Sequence, residues 1–321
     1  MKLPYIGRRL LQVVPTVSGV LILIFILIHI APGDPIQALA SGNGDEDYYA
    51  FMRHKFGLDQ PLINQLGTFV GNILRGDLGT SYITGQSVST TIGERLGATL
   101  LLTGTAIIVS SIIGIGLAVV ASLRSDGALD HATNAASLIL YASPVFWIAQ
   151  LVLLFLSLRL GWFPVQGMNS AGLDAGVLAT VIDTAWHLAL PAGVLAIKEV
   201  TVVARLMRSG IREELGQDYI RTARAKGASE SQVVVRHALR SALLPVVTVI
   251  GNRIGNIFSG AMVVELIFGW PGLGQLILSS SQTRDTPVLL GIFLLVAFTV
   301  VLSNLITDLS YAWIDPRIRL K

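Results

Sequence analysis

"LILIFILI", residues 21–28, places eight large apolar side chains in a row near the start of a 321-residue chain. Such residues contribute roughly −0.3 to −0.6 kcal/mol each toward bilayer insertion, enough to carry His29 beside them. Extended back to about Leu11, the stretch reaches about 20 residues, the length that crosses a hydrocarbon core of about 30 Å. Arg8 and Arg9 precede it as in a secretion signal, but the apolar region is too long and "APGDP", residues 31–35, is a poor cleavage site. It reads as a retained first membrane helix, ended by Pro32 and Pro35.

The rest of the chain agrees. Hydrophobic residues make up 52% and charged residues only 13%, about half the usual charged share of a soluble domain. Mean hydropathy is +0.67. A soluble protein of this size could not bury that much apolar surface, so an all-α, polytopic integral membrane protein is expected. Further spans lie near residues 98–122, 132–158, 186–206, 242–264 and 288–312, making six transmembrane helices. The expected organisation is an N-terminal segment and first helix in 1–31, a long extracytoplasmic loop in 32–95 and a core of five helices in 96–321 that includes a loop at 207–241. No internal repeat, low-complexity tract or second domain is visible.

Charge placement sets the orientation. Of 23 lysines and arginines, fifteen fall on the face that holds both termini, eight of them within 205–241; six fall on the other face. The excess of lysine and arginine on cytoplasmic loops places both termini and the 205–241 segment in the cytoplasm. In the extracytoplasmic loop, Leu62, Leu66, Phe69, Val70, Ile73 and Leu74 recur at helical spacing, and Val88, Ile92 and Leu96 repeat every fourth residue. Helices lying on the membrane surface account for both patterns; a docking surface for an external partner is compatible with them.

Several chemistries are excluded. There is no cysteine, and the five histidines lack ligand spacing, so no metal site is expected. No G-x-x-x-x-G-K-[ST] loop occurs, so this chain does not hold ATP in that way. No cofactor and no nucleic-acid partner are expected.

Between two of the greasiest stretches stands "DYIRTARAKGASESQ", residues 218–232. Asp218 can cap a short helix through Tyr219–Lys226, and Gly227 is placed to end it in a left-handed conformation. Ser229 and Gln232 have capping-box spacing and start a second helix through about Arg240. A short helix pinned by a sharp corner can transmit a push from a cytoplasmic partner. A basic juxtamembrane segment can also rest on anionic lipid, but lipid binding needs no fixed corner.

At these residues the chain resembles the permeases of ABC importers, specifically the dipeptide/oligopeptide/nickel branch. The importer motif has Glu-Ala-Ala followed by glycine four residues after the last alanine; the matching places here hold Arg221, Thr222, Ala223 and Gly227. The departures at the first two places are typical of the peptide branch. "APGDP", "GLDQPL", "GDLGTSY", "VELIFGWPGLGQLI" and the terminal "DPRIR" resemble this branch in order and spacing over the whole chain. The resemblance implies a non-catalytic permease subunit in a bacterial or archaeal (inner) membrane, paired with a homologous second permease. Two cytoplasmic ATPase subunits would bind ATP and Mg and grip a coupling surface of Tyr219, Arg221, Thr222, Ala223, Ala225, Lys226 and Gly227. An extracytoplasmic binding protein would deliver short peptides, with nickel complexes, glutathione or modified sugars as the cargo of close relatives.

Two other places stand out. In "FGWPGLGQL", residues 268–276, Trp270, Pro271, Gly272, Leu273 and Gly274 form either a simple turn or an outer gate, since non-helical backbone at membrane depth must be enclosed. Lys198, Glu199 and Arg253 fall near the midplane, where a charge costs roughly 2.5–3.5 kcal/mol and must face the bundle interior. Asn252 and Asn256 extend that polar surface. The peptide branch is expected to have a neutral glutamine near Arg253 and no charge pair at 198–199, so this sequence departs from it there. A structural Glu199–Arg253 bridge and a substrate pathway for anionic ligands both fit. An ion-coupled secondary transporter is the other class, but Glu199 and Asp308 are the only intramembrane carboxylates in the expected spans and no repeat accompanies them.

Overall fold

The apolar stretch around residues 21–28 lies in α1, Leu3–Ile30, 28 residues or about 42 Å long, with Pro15 inside it. A computed structural model describes residues 3–30, 45–55, 59–123, 139–140, 142–172, 176–243, 246–247 and 257–314. The described residues are predominantly helical, and their only strand-like feature is an isolated bridge between Thr80 and Ser87. The helices are α1, α2 (Glu46–Lys55), α3 (Leu62–Leu74), α4 (Val88–Leu123), α5 (Val145–Val152), α6 (Val177–Leu215), α7 (Asp218–Ala225), α8 (Glu230–Gln232), α9 (Ile257–Ile267), α10 (Leu273–Gln282) and α11 (Thr286–Ile314). Two wider π-helical stretches follow α5 and α8, at Leu153–Arg159 and Val233–Ala238. Among the described residues three helices are long and apolar enough to cross a membrane: Val88–Leu123, Val177–Leu215 and Thr286–Thr307 within α11.

The chain forms two units, the first comprising Met1–Ala98 and Gly272–Leu302. Here α3 packs on α1 through Phe25 and Phe69, whose rings lie 5.9 Å apart, and through His29 Nε2 and Gln65 Oε1 at 3.1 Å. The expected helix at 62–74 is present. The Val88–Ile92–Leu96 repeat is different from its reading as a separate surface helix. It is the first part of α4, which runs without a break into the expected second span. Val88 and Ile92 are buried because they pack on Gly291 of α11, where an added Cβ would lie 2.5 Å from Val88 Cγ1. The turn before α4 is fixed by Asp285, which is 3% exposed; it accepts from Ser81 Oγ at 2.5 Å and Tyr82 N–H at 3.1 Å.

The second unit comprises Thr99–Pro271 and Ser303–Lys321. Its main element is α6, whose 39 residues make a rod of about 58 Å, nearly twice a hydrocarbon core. Small residues let helices approach it closely. At Gly114 of α4 an added Cβ would lie 2.8 Å from Val203, and at Gly210 it would lie 3.1 Å from Ala242. Several hydroxyls are satisfied within their own helices, as at Thr103 to the Thr99 carbonyl (2.6 Å) and Ser122 to the Ala118 carbonyl (2.8 Å). A segment at 161–170 is fastened to the start of α6. Asp183 accepts from the Ser170 N–H and Oγ, both at 2.7 Å, and Phe163 stacks on Trp186 at 4.5 Å.

Candidate functional site

The basic segment folds as helix, corner and helix. Gln217, not Asp218, is the N-cap of α7, with extended φ and ψ and no side-chain capping bond. Asp218 is the first helical residue; there its charge still suits the helix N-terminus, and its carboxylate reaches Arg221 Nη1 at 3.4 Å. The other end forms as expected. Gly227 has φ +84°, its N–H donates to the Arg224 carbonyl at 2.9 Å, and the Ala228 N–H donates to the Ala223 carbonyl at 3.2 Å. These two bonds are the Schellman pattern that ends a helix on a left-handed residue. The capping box is also present: the Gln232 N–H donates to Ser229 Oγ at 3.4 Å and the Ser229 N–H to Gln232 Oε1 at 3.1 Å.

Ile220 seats this helix. It is the buried residue of α7, at 0% exposure, in one apolar cluster with Met207, Ile211, Val233, Val234, Ala238 and Ala242. The sequence signal was a single isoleucine in a polar helix, too short a pattern to show periodicity. Around it Tyr219, Arg221, Thr222, Ala225, Lys226 and Gly227 are exposed and Ala223 is half-buried. The seven expected coupling residues therefore share one short helix and its corner, with six of them facing outward.

Two polar ties flank the anchor. Tyr219 Oη donates to Glu214 Oε2 at 2.5 Å, joining α7 to the last turn of α6. Arg224 donates through Nε and Nη2 to the two carboxylate oxygens of Glu230 at 2.7 and 3.0 Å, across the corner. The hydrogen bond from Arg224 holds the Glu230 carboxyl below its ordinary value of 4.5. A depressed carboxyl stabilises the fold above its ordinary value, and the contribution is lost as pH falls through the lower, folded value. The tie is thus complete at neutral pH. Partial burial, followed by the bond to Glu214, raises the Tyr219 phenol above its ordinary value.

The second candidate, residues 268–274, is a buried helix stop. Gly269 has φ +59°, the Trp270 N–H donates to the Glu265 carbonyl at 2.9 Å, and the Gly167 N–H donates to the Phe268 carbonyl at 2.9 Å. Trp270, Gly272, Leu273 and Gly274 are buried and Pro271 is half-buried. Glu265, which sequence reading overlooked, is 0% exposed and accepts from Thr99 Oγ1 at 2.7 Å. It lies one residue beyond the expected end of the fifth span, outside the stretches where intramembrane carboxylates are expected. Lys198 and Glu199 lie half-buried in the middle of α6. Asn252, Arg253 and Asn256 lie outside the described residues, as does the terminal "DPRIR" motif. No cluster of histidine, aspartate and glutamate with metal-binding geometry occurs among the described residues.

Comparison with known proteins covers the whole chain. Residues 110–320 match the family model described as binding-protein-dependent transport system inner membrane component, and residues 2–103 match its N-terminal companion model. The di/tripeptide transport system permease protein DppB of Pseudomonas aeruginosa is 38% identical, with 99% of each chain covered. The oligopeptide transport system permease protein AppB of Bacillus subtilis is 39% identical, with 98% of each covered. The glutathione transport system permease protein GsiC of Salmonella choleraesuis is 37% identical, covering 99% of this chain and 100% of that one. Among solved structures, an amino acid ABC transporter determined with histidines aligns with TM-score 0.50 at 16% identity, covering 69% of this chain and 93% of that one. That likeness concerns the fold alone.

Proposed function

The chain belongs to the family of binding-protein-dependent transport system inner membrane components, and we infer from this that it is the permease subunit of an ATP-driven importer of dipeptides or oligopeptides. The full-length similarity to peptide permeases carries the reading. The exposed face of α7, seated by Ile220 and ended by a fixed glycine corner, supports it, because a part that receives force from a partner must be both accessible and rigid. On this proposal the chain makes six crossings with both termini cytoplasmic and pairs with a homologous permease. Two ATPase subunits that hold ATP and Mg grip Tyr219, Arg221, Thr222, Ala223, Ala225, Lys226 and Gly227, and a binding protein delivers peptide to the opposite face.

The complex reconstituted in proteoliposomes should take up dipeptide only with ATP, both permeases, the ATPases and loaded binding protein, and should tolerate proton and sodium ionophores. Alkaline phosphatase fused after Gly76 should be active and the same fusion after Gly227 silent. Uptake that collapses with ionophores and ignores ATP would replace the reading with an ion-coupled carrier; the reverse fusion pattern would overturn the orientation.

The proposed substrate pathway contains Lys198, Glu199, Asn252, Arg253 and Asn256, with two cations against one anion. Its net positive charge suits a ligand bearing a free carboxylate. Replacing Arg253 by glutamine should leave the complex assembled and lower uptake of ordinary peptides relative to C-terminally amidated ones. Equal loss of both, with poor assembly, would assign Arg253 to a structural bridge instead.

A further inference from the structure

We propose that Arg224 is a positioning residue, the brace that makes the fifth membrane helix follow the coupling helix. This rests on the importer reading and adds to it a residue outside the surface assigned to the ATPase. Gly227 is exposed, and an added Cβ there would meet nothing within 4 Å. Nothing packs against the glycine itself, while Ala228 beside it packs on the Ile220 cluster. The bend is held by the packing of Ile220 with Val233, Val234 and Ala238, by two main-chain bonds, from Gly227 to Arg224 and from Ala228 to Ala223, and by the Arg224–Glu230 pair spanning it.

Arg224 is engaged twice. Its carbonyl closes the helix end and its guanidinium reaches over the bend to the first residue of α8. Both carboxylate oxygens of Glu230 are used, at 2.7 and 3.0 Å, so the two groups are fixed in plane as well as in distance. The pair is 40% and 62% exposed, so its contribution to global stability is small. Its effect is directional. α8 continues through the π-helical stretch to Ala242, which lies against Gly210 of α6, and the chain then enters the expected fifth span. At its other end α7 is tied through Tyr219 to Glu214 of α6 and to Ser241 of the stretch that leads to the expected fifth span. The coupling helix is thus attached toward both the fourth and the fifth membrane helices, and the Arg224–Glu230 pair is the side-chain attachment that spans the corner itself.

In proteoliposomes holding the whole complex, loaded binding protein and dipeptide, Arg224→Gln should retain bound ATPase subunits and hydrolyse ATP within about twofold of wild type. Peptide taken up per ATP should fall about fivefold, as expected when a contact of this class stops holding one geometry. Glu230→Gln should behave alike, and Arg224→Glu with Glu230→Arg should restore the ratio, a rescue that loss of bulk stability would not give. An unchanged ratio in the single variants, or a swap that fails to restore it, overturns the brace. Loss of ATPase binding in Arg224→Gln but not in Glu230→Gln also overturns it, because Arg224 would then touch the ATPase directly. If wild type itself shows no ATP-dependent uptake, it is the importer reading that fails.

Discussion

Ile220→Asp is expected to lower ATP-driven uptake about a hundredfold or more while the chain still inserts in the membrane at normal levels. Ile220 is wholly buried, and α7 has no other buried side chain. Removing it forfeits about 1.5–3 kcal/mol of apolar burial, and a carboxylate in the same place adds a larger desolvation cost unless the helix lets go. Eight residues cannot hold a helix unaided in water, so α7 leaves its seat on Met207, Ile211 and Val233 and presents no fixed surface to a partner. The total, about 5 kcal/mol, is of the size produced only by core disruption, and each 1.4 kcal/mol is a factor of ten. Ile220→Val should cost about 0.5–1.5 kcal/mol and leave most activity. Uptake and ATPase binding, measured in the same membranes, check the pair; normal uptake by the aspartate variant would mean that α7 does not work from this seat.

The second large effect is expected at Gly227. At φ +84° an ordinary side chain costs about 1–2 kcal/mol and a β-branched one more. Because nothing lies within 4 Å of an added Cβ, backbone conformation alone sets the order of the variants. Uptake should fall in the series Gly, Asn, Ala, Val, since asparagine tolerates the left-handed region best. Gly227→Val should lose coupling outright, with ATP hydrolysis no longer answered by peptide uptake. A series ordered by side-chain volume instead, with asparagine worse than alanine, would show that a partner packs on the corner and that crowding, not strain, is the cause.

Legibility from sequence followed the range over which each feature is built. Gly227 and the Ser229–Gln232 box could be read because every participating atom lies within a few residues. The error at Asp218 was of the same local kind: aspartate suits the N-cap and the first turn alike, and Gln217 took the cap. Membrane character and the long helices were plain from hydropathy, but the start of α4 was not, because Val88 and Ile92 owe their burial to Gly291, some two hundred residues away in the chain. Glu265 and Asp285 were missed for that same reason. Their partners, Thr99 and Ser81, are 166 and 204 positions distant, and no spacing rule links residues so far apart. Ile220 was the hardest to see, since a lone apolar residue in an eight-residue helix has no period.

Those two distant carboxylate contacts also bear on how the chain matures. The bonds that shape the coupling corner lie within about fifteen residues and can close as soon as that stretch is made, since local contacts need little loop closure. Thr99 and Ser81 wait far longer: synthesis must proceed to Glu265 for one and to Asp285 for the other. A chain interrupted before residue 265 thus contains every residue of α7 and its corner and neither of these fastenings. The local corner is available before the long-range closure of either unit, and a partner that gripped only the corner would not distinguish a complete permease from an unfinished one.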